Sequence, residues 1–214
     1  MGVIDYKTGG KEFKLGEVFS GLNMQMLIYL FAIWQNGGEY YKNVTPAGIL
    51  YFQAKNPRVK SDKITRDSDE VASKTASMQE LRMHGMVLNN IDVVTAMENS
   101  CEGLFIPVSL DKNGTLKGNV ISLDSLSALK NRVNDSIRNM AQELQSGYIS
   151  AFPVDGGCTW CDYKDVCKRE ESDPIKELDV PSFDDAISIL RSDEDGEKLD
   201  KKKKTGNRIK KRYC

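Results

Sequence analysis

The sequence predicts an α/β domain, a mixed sheet flanked by helices, and three observations lead to that class. The run Val3-Ile4-Asp5-Tyr6-Lys7, β-branched and aromatic, reads as a strand. The stretch from Gly21 to Gln35 is apolar and long enough for a helix, and further strand signals then alternate with helical patterns along the chain. With 214 residues and 40% hydrophobic content, the chain can build one domain of ordinary size with a real core.

Taken in order, the first strand is closed by the turn signal Thr8-Gly9-Gly10. Strand side chains alternate, so Val3, Asp5 and Lys7 share one face and Ile4 and Tyr6 the other. A carboxylate and an ammonium therefore point the same way. The helix that follows carries Leu22, Met26, Leu27, Leu30, Ile33 and Trp34, is apolar on nearly every side and stops at Asn36-Gly37-Gly38, which predicts a buried helix. Gln25 and Tyr29, four residues apart, lie one above the other on it, and polar tips on a buried helix need partners.

Pro46 to Lys55 reads as a strand bounded by Asn56-Pro57, and the polar run Arg58 to Ser73 as a mobile loop. Helical stretches are expected around Val71 to Leu88 and Ile91 to Glu98. Leu104 to Leu110 and a short run after it flank Asp111-Lys112-Asn113-Gly114, a hairpin signal. Leu126, Leu129, Val133, Ile137, Met140 and Leu144 mark one stripe of a long amphipathic helix ended by Gly147. The lone His84 reads as a surface or loop residue, since no Cys or Ser partner stands at a recognisable spacing. No internal repeat is visible.

Cys158, Cys161 and Cys167 follow in the pattern C-x2-C-x5-C. No signal-peptide pattern opens the chain, and thiols this tightly grouped in a protein that reads as cytoplasmic point to metal ligation before disulfides. Three thiolates are one short of the four that structural zinc and iron–sulfur sites usually take. Cys101 lies between a helix and an apolar run, a setting for an inert buried thiol, and Cys214 ends the tail; neither reads as the missing ligand. The segment is expected to staple the C-terminal end back onto the domain.

Charge is balanced, 30 basic against 31 acidic residues, so composition announces no nucleic-acid binder. Its one uneven stretch is C-terminal: Ser192 to Asp200 is mostly acidic and Lys201 to Arg212 carries eight Lys/Arg, which reads as a disordered, solvated tail. The longest apolar run, Met24 to Trp34, falls short of the roughly 20 residues a membrane span needs.

Asp5 and Lys7 in a D-x-K arrangement suit metal-dependent phosphodiester hydrolysis, with the carboxylate on Mg²⁺ and the lysine orienting the attacking water. D-x-K by itself equally describes an exposed ion pair, and Gln25 and Tyr29 by themselves equally describe satisfied core polar groups. The ordered combination separates these readings. A strand with D-Y-K, a turn, a helix with Q-x3-Y and a late C-x2-C-x5-C cluster together resemble the RecB-like nucleases of the PD-(D/E)xK superfamily that carry an iron–sulfur cluster.

Within that superfamily the resemblance is to the C-terminal nuclease domain of AddAB-type helicase/nuclease B subunits. It is carried by Val3 to Gly9, Pro46 to Phe52 and the cysteine segment through Tyr163 to Cys167, and it runs from residue 2 to about residue 170. It implies a restriction-endonuclease-like mixed sheet and a Mg²⁺-dependent DNA exonuclease that processes double-strand breaks for recombinational repair. Asp5 and the backbone carbonyl of Tyr6 would bind Mg²⁺, Lys7 would position the nucleophile, and Gln25 and Tyr29 would contact DNA or order the site. Cys158, Cys161 and Cys167 would hold a [4Fe–4S] cluster. The implied partners are single-stranded or double-stranded DNA and a helicase/nuclease A subunit in a heterodimer, without a membrane.

Two departures accompany the likeness. The family's first metal-binding acid precedes D-Y-K, where only four residues stand here, and its fourth cluster cysteine lies far upstream. Both lead to the expectation that the chain is the C-terminal piece of a longer protein. Walker A and helicase sequences are absent, so no ATP chemistry falls to these residues. The expected organisation is a partial nuclease domain over 1–170, a short extension over 171–190 and the tail over 191–214. Two rivals are a free-standing CRISPR-associated RecB-like exonuclease, disfavoured by the long stretch between Tyr29 and Cys158, and a non-catalytic metal-stapled DNA-binding or scaffold module.

Overall fold

The computed structural model describes residues 1–8, 13–54, 78–148, 151–159 and 161–192. The expected loop over 58–73 and the tail from 193 onward lie outside the described residues. The elements are β1 (Gly2–Lys7), α1 (Leu15–Val18), α2 (Gln25–Asn36), a 3₁₀ turn (Gly37–Glu39), β2 (Gly48–Gln53) and β3 (His84–Leu88). Then come α3 (Ile91–Met97), β4 (Val108–Leu110), β5 (Leu116–Gly118), β6 (Val120–Ile121) and α4 (Leu123–Gln145). Residues 183–192 form a last helix, α5.

The main sheet runs β1-β2-β3-β6, with β1 parallel to β2, β2 antiparallel to β3 and β3 parallel to β6. This is the mixed, helix-flanked α/β sheet that the sequence predicts. β4 and β5 form the expected hairpin as a separate two-stranded ladder. Asp111 closes its turn by accepting from the Asn113 and Thr115 N–H groups at 2.8 and 2.9 Å.

Alternation sorts the sheet residues into two cores. Ile49, Tyr51 and Met86 face one side, where they meet Leu15, Leu27, Leu30, Ile121, Leu126, Leu129 and Leu190 in the larger cluster. Leu50 and Val87 face the other, against Val94, Ile106 and Val108. The larger core therefore lies between the sheet and α1, α2, α4 and α5, on the face that also carries Val3, Asp5 and Lys7. β2 and β3 cross closely: a Cβ on Gly85, whose φ is +152°, would collide with the Ile49 carbonyl oxygen, so only glycine fits.

Caps mark the helix starts. Asn90 Oδ1 accepts from the Asp92 and Val93 N–H groups to open α3, and Ser122 Oγ accepts from the Ser125 N–H to open α4. Ser182 does the same for α5 through the Asp185 N–H.

Four expectations change. His84 to Leu88 is a strand, not the end of a helix, and His84 is its first residue, not a loop residue. Met86, Val87 and Leu88 are all buried, and a short run buried on both faces has no periodicity to separate strand from helix. Second, α2 begins at Gln25 and is buried on one side only, through Met26, Leu27, Leu30 and Phe31, while Ile28 and Tyr29 face out. Third, α4 buries Leu126, Leu129 and Val133 but exposes Ile137, Met140 and Leu144, because periodicity orients a helix without saying where the surface beneath it ends. Fourth, the extension over 171–190 is built into the domain: Ala186, Ile187 and Leu190 are buried in the larger core, and a Cβ on Gly16 of α1 would collide with the Pro181 carbonyl oxygen.

Candidate active site

Asp5 and Lys7 stand two residues apart on β1, on the face toward the larger core, and the Lys7 Nζ lies 2.6 Å from Asp5 Oδ2. Both side chains are half-buried, whereas Ile4 and Tyr6 on the opposite face are exposed. The hydrogen bond from Asp5 raises the Lys7 pKa above its ordinary value, so the ammonium stays charged at neutral pH. Lys7 is thus equipped to donate hydrogen bonds and supply positive charge, not to accept a proton.

Backbone alternation aims the Tyr6 carbonyl. The Lys7 carbonyl accepts from the Ala54 N–H at 2.8 Å and that of Met1 from the Ala47 N–H at 2.6 Å, so the odd-numbered carbonyls of β1 turn toward β2. The Tyr6 carbonyl turns the other way, to the strand's outer edge, because successive peptide groups of a strand alternate. Asp5 therefore offers a carboxylate and Tyr6 a backbone oxygen, both hard ligands of the kind Mg²⁺ takes. That donor chemistry fits the ion.

The parallel register sets Tyr51 opposite Asp5 and Gln53 opposite Lys7, and the antiparallel register sets His84 opposite Tyr51. Residues paired in register share a face, so Asp5, Tyr51 and His84 form a row across three strands. The Tyr51 ring is buried and its centroid lies 5.3 Å from the Lys7 Nζ, a cation–π contact beneath the ion pair. Burial raises the Tyr51 hydroxyl pKa; Lys7 lowers it, while the charges of Asp5 and Glu17 raise it further. The hydroxyl stays protonated. Glu17, on α1, thus brings a second carboxylate within electrostatic reach of Tyr51, and Asn23, in the left-handed region at φ 54°, donates from Nδ2 to its Oε2.

Gln25 and Tyr29 share one face of α2, as their spacing predicts, and partner each other: Gln25 Nε2 donates to the Tyr29 hydroxyl at 3.0 Å. That face is exposed, while the buried face of α2 packs on β1 and β2. Helix and strand thus bring the Q-x3-Y pair and the D-x-K pair to the same side of the sheet.

Beyond α4 the chain forms turns over 155–159 and 162–166 that gather the cysteines. Cys158, Cys161 and Cys167 are all free and line one cavity of ≈ 380 Å³, with Lys164 and Arg169 also in its wall. Among the described residues no three Cys, His, Asp or Glu side chains close around a single ion. Three thiols around one cavity, flanked by two cations that balance thiolate charge, fit a cluster that spreads its ligands over several irons. Cys101 is buried in the smaller core, where its Sγ donates to the Glu98 carbonyl at 3.4 Å, as expected of an inert thiol. Cys214 lies outside the described residues. The Lys176 N–H donates to the Pro153 carbonyl at 2.8 Å and its Nζ lies 3.4 Å from the Ser20 carbonyl, so the chain after the cysteines returns to the loop between α1 and α2.

Tyr51, Gln53, His84 and Glu17 are the site neighbours that motif reading leaves out. Tyr51 and Gln53 alternate on β2 as Asp5 and Lys7 do on β1, which is a visible signal, but only the register places one pair beside the other.

The family model for the PD-(D/E)XK nuclease superfamily matches residues 1–168. The B subunit of the ATP-dependent helicase/deoxyribonuclease from Thermoanaerobacter sp. (strain X514) is 33% identical over 211 residues, covering 92% of this chain and 18% of that relative. The protein of the same name from Clostridioides difficile (strain 630) is 32% identical over 206 residues, covering 89% of this chain and 18% of the relative. That of Caldanaerobacter subterraneus subsp. tengcongensis is 36% identical over 176 residues, covering 78% and 15%. The chain thus spans less than a fifth of the length of these curated relatives. Among the described residues no helix is long and apolar enough to cross a membrane. With D-Y-K on an edge strand, Q-x3-Y on the adjoining helix and a family match over most of its length, the chain belongs to the PD-(D/E)XK nuclease superfamily.

Proposed function

We propose that this chain forms the nuclease part of a helicase/nuclease that hydrolyses DNA strands at double-strand breaks, ahead of recombinational repair. The observation that carries the reading is the Asp5–Lys7 pair, 2.6 Å apart on β1 beside an outward-turned Tyr6 carbonyl. Asp5 and the Tyr6 carbonyl would hold Mg²⁺, which when bound supplies Lewis-acid charge stabilisation at the phosphoryl group. Lys7, kept charged by Asp5, donates to the attacking water or a non-bridging oxygen and opposes the charge that develops in the transition state. The buried Tyr51 ring holds the Lys7 ammonium on this face. Gln25 and Tyr29, already joined on α2, present an amide and a hydroxyl to the phosphate or the bound strand.

Cys158, Cys161 and Cys167 would hold a [4Fe–4S] cluster, which would supply a covalent tie across the turns following α4. The partners in this reading are DNA and a helicase/nuclease A subunit, in the cytoplasm, as the names of the relatives suggest. The test is Asp5→Ala and Lys7→Ala in the whole natural polypeptide with its partner. Each is expected to lower Mg²⁺-dependent cleavage by roughly 100-fold or more while strand unwinding continues. Cleavage by Asp5→Ala within a few-fold of the parent would remove Asp5 from the mechanism.

A further inference from the structure

A second cavity, of ≈ 640 Å³, lies next to the cysteine cavity and shares Cys167 and Arg169 with it. Its wall carries the rings of Tyr148 and Phe152, 53% and 50% exposed, together with Lys168 and Asp173. The volume is within the roughly 300–1,000 Å³ of small-ligand sites. Two large rings left half in water beside two cations match neither a core nor an ordinary solvated surface, and nothing in the D-x-K site uses them.

The cavity is held in shape by the backbone. Val154 and Lys176 form a parallel bridge behind it, with the Lys176 N–H on the Pro153 carbonyl at 2.8 Å. Arg169 Nη2 donates to the Asp173 carbonyl at 2.9 Å, which anchors the guanidinium. Among the described residues the one acidic group in the wall is partly occupied, because Asp173 Oδ2 accepts from the Glu170 N–H at 2.7 Å. Two cations against one engaged carboxylate leave the described wall net positive.

Ring faces paired with cations form a recognition chemistry for a base and its phosphate: stacking tolerates any base, and Lys or Arg follows the backbone. An apolar protein partner would have to bury Lys168 and Arg169 unpaired. We infer that this cavity binds single-stranded DNA, with a base stacked on Tyr148 or Phe152 and the adjoining phosphates on Lys168 and Arg169. The inference rests on the nuclease reading for the choice of DNA over other strands, and on the cavity itself for the residues. It places a strand-holding site beside the cysteine segment, separate from the phosphodiester chemistry of Asp5 and Lys7.

The test uses the 214-residue chain, a fluorescein-labelled oligodeoxythymidylate and anisotropy in EDTA, so that no cleavage intervenes. Tyr148→Ala and Phe152→Ala are expected to weaken binding by roughly 5- to 150-fold each, and Tyr148→Phe, which keeps the ring, to restore it. Lys168→Gln is expected to reduce the slope of log affinity against log salt by about 0.7, while the ring variants leave that slope unchanged. Thymidine monophosphate, having one base and no strand, is expected to compete far more weakly than the oligonucleotide. Binding by the Tyr148→Ala, Phe152→Ala double variant within twofold of the parent would overturn the inference, as would a parent chain that binds no oligonucleotide. Equal competition by the mononucleotide, counted per nucleotide, would also overturn it. Asp5→Ala should bind as the parent does, so a failed strand site and a failed nuclease assignment give different results.

Discussion

Glu98 gives the sharpest stability prediction in the molecule. It follows α3 and is buried, and its carboxylate accepts from the Leu104, Phe105 and Ile106 N–H groups at 2.9, 2.9 and 3.2 Å and from the Ser100 hydroxyl at 3.3 Å. The chain from 98 to 106 is wrapped around this one side chain, and Ile106 at its end is fully buried in the smaller core. Glu98→Ala strips the acceptor from three backbone donors. An unmet buried donor costs about 1–3 kcal/mol, and the variant no longer desolvates a carboxylate, so a net loss of about 3–4 kcal/mol is expected. Glu98→Gln keeps one acceptor oxygen but turns an amide N–H₂ toward a backbone N–H, for a loss of about 2 kcal/mol. Burial pushes the Glu98 carboxyl up, yet the N–H groups of Phe105, Leu104, Ile106 and Gly103 together outweigh it and leave the pKa below the ordinary 4.5. With the folded value depressed, the contribution is complete above the unfolded value and is lost as pH falls through the folded value. Urea unfolding at neutral pH and down a series below pH 4.5 measures both effects. A Glu98→Ala loss under about 0.5 kcal/mol would refute the reasoning, as would a Glu98→Gln variant that keeps the parent's acid-side slope.

Three further outcomes follow from the same geometry. Tyr51→Leu removes the ring beneath the Lys7 ammonium and should lower cleavage several-fold through kcat, while Tyr51→Phe keeps the contact and most of the rate; equal rates for the two would deny the ring a positioning role. Gly16→Ala sets a Cβ against the Pro181 carbonyl and should cost about 1–3 kcal/mol, with faster proteolysis after residue 170; an unshifted melting temperature and cleavage pattern would show that α5 docks independently of α1. The whole natural polypeptide, purified without oxygen, should be brown and contain iron and inorganic sulfide, and should lose both in Cys158→Ser; stoichiometric zinc without sulfide would replace the cluster with a zinc tie.

The motifs were legible because each depends on local spacing. Two residues apart on a strand puts Asp5 and Lys7 on one face, and the 2.6 Å contact follows from that alternation. Four apart on a helix puts Gln25 beside Tyr29, and the 3.0 Å hydrogen bond follows from the helical turn. The hairpin at Asp111 to Gly114 and the start of the long helix were equally local. Reading failed where burial depended on what lies opposite: α2 looked apolar all round, yet only the side carrying Met26, Leu27, Leu30 and Phe31 is buried, and Ile28 and Tyr29 stay exposed.

Sequence alone determined the α/β class, the faces on which Asp5, Lys7, Gln25 and Tyr29 stand, and the grouping of three thiols, since periods of 2 and 3.6 and a short covalent spacing are properties of the chain itself. Only the tertiary structure decided that Tyr51 lies under Lys7, that His84 extends the row from Asp5, that the chain beyond residue 171 returns to fill the larger core through Ala186 and Leu190, and that two rings and two cations meet beside Cys167. Those placements come from strand register and from which apolar faces find one another. Both are settled by the joint burial of residues far apart in the chain, for which one sequence carries no local signal.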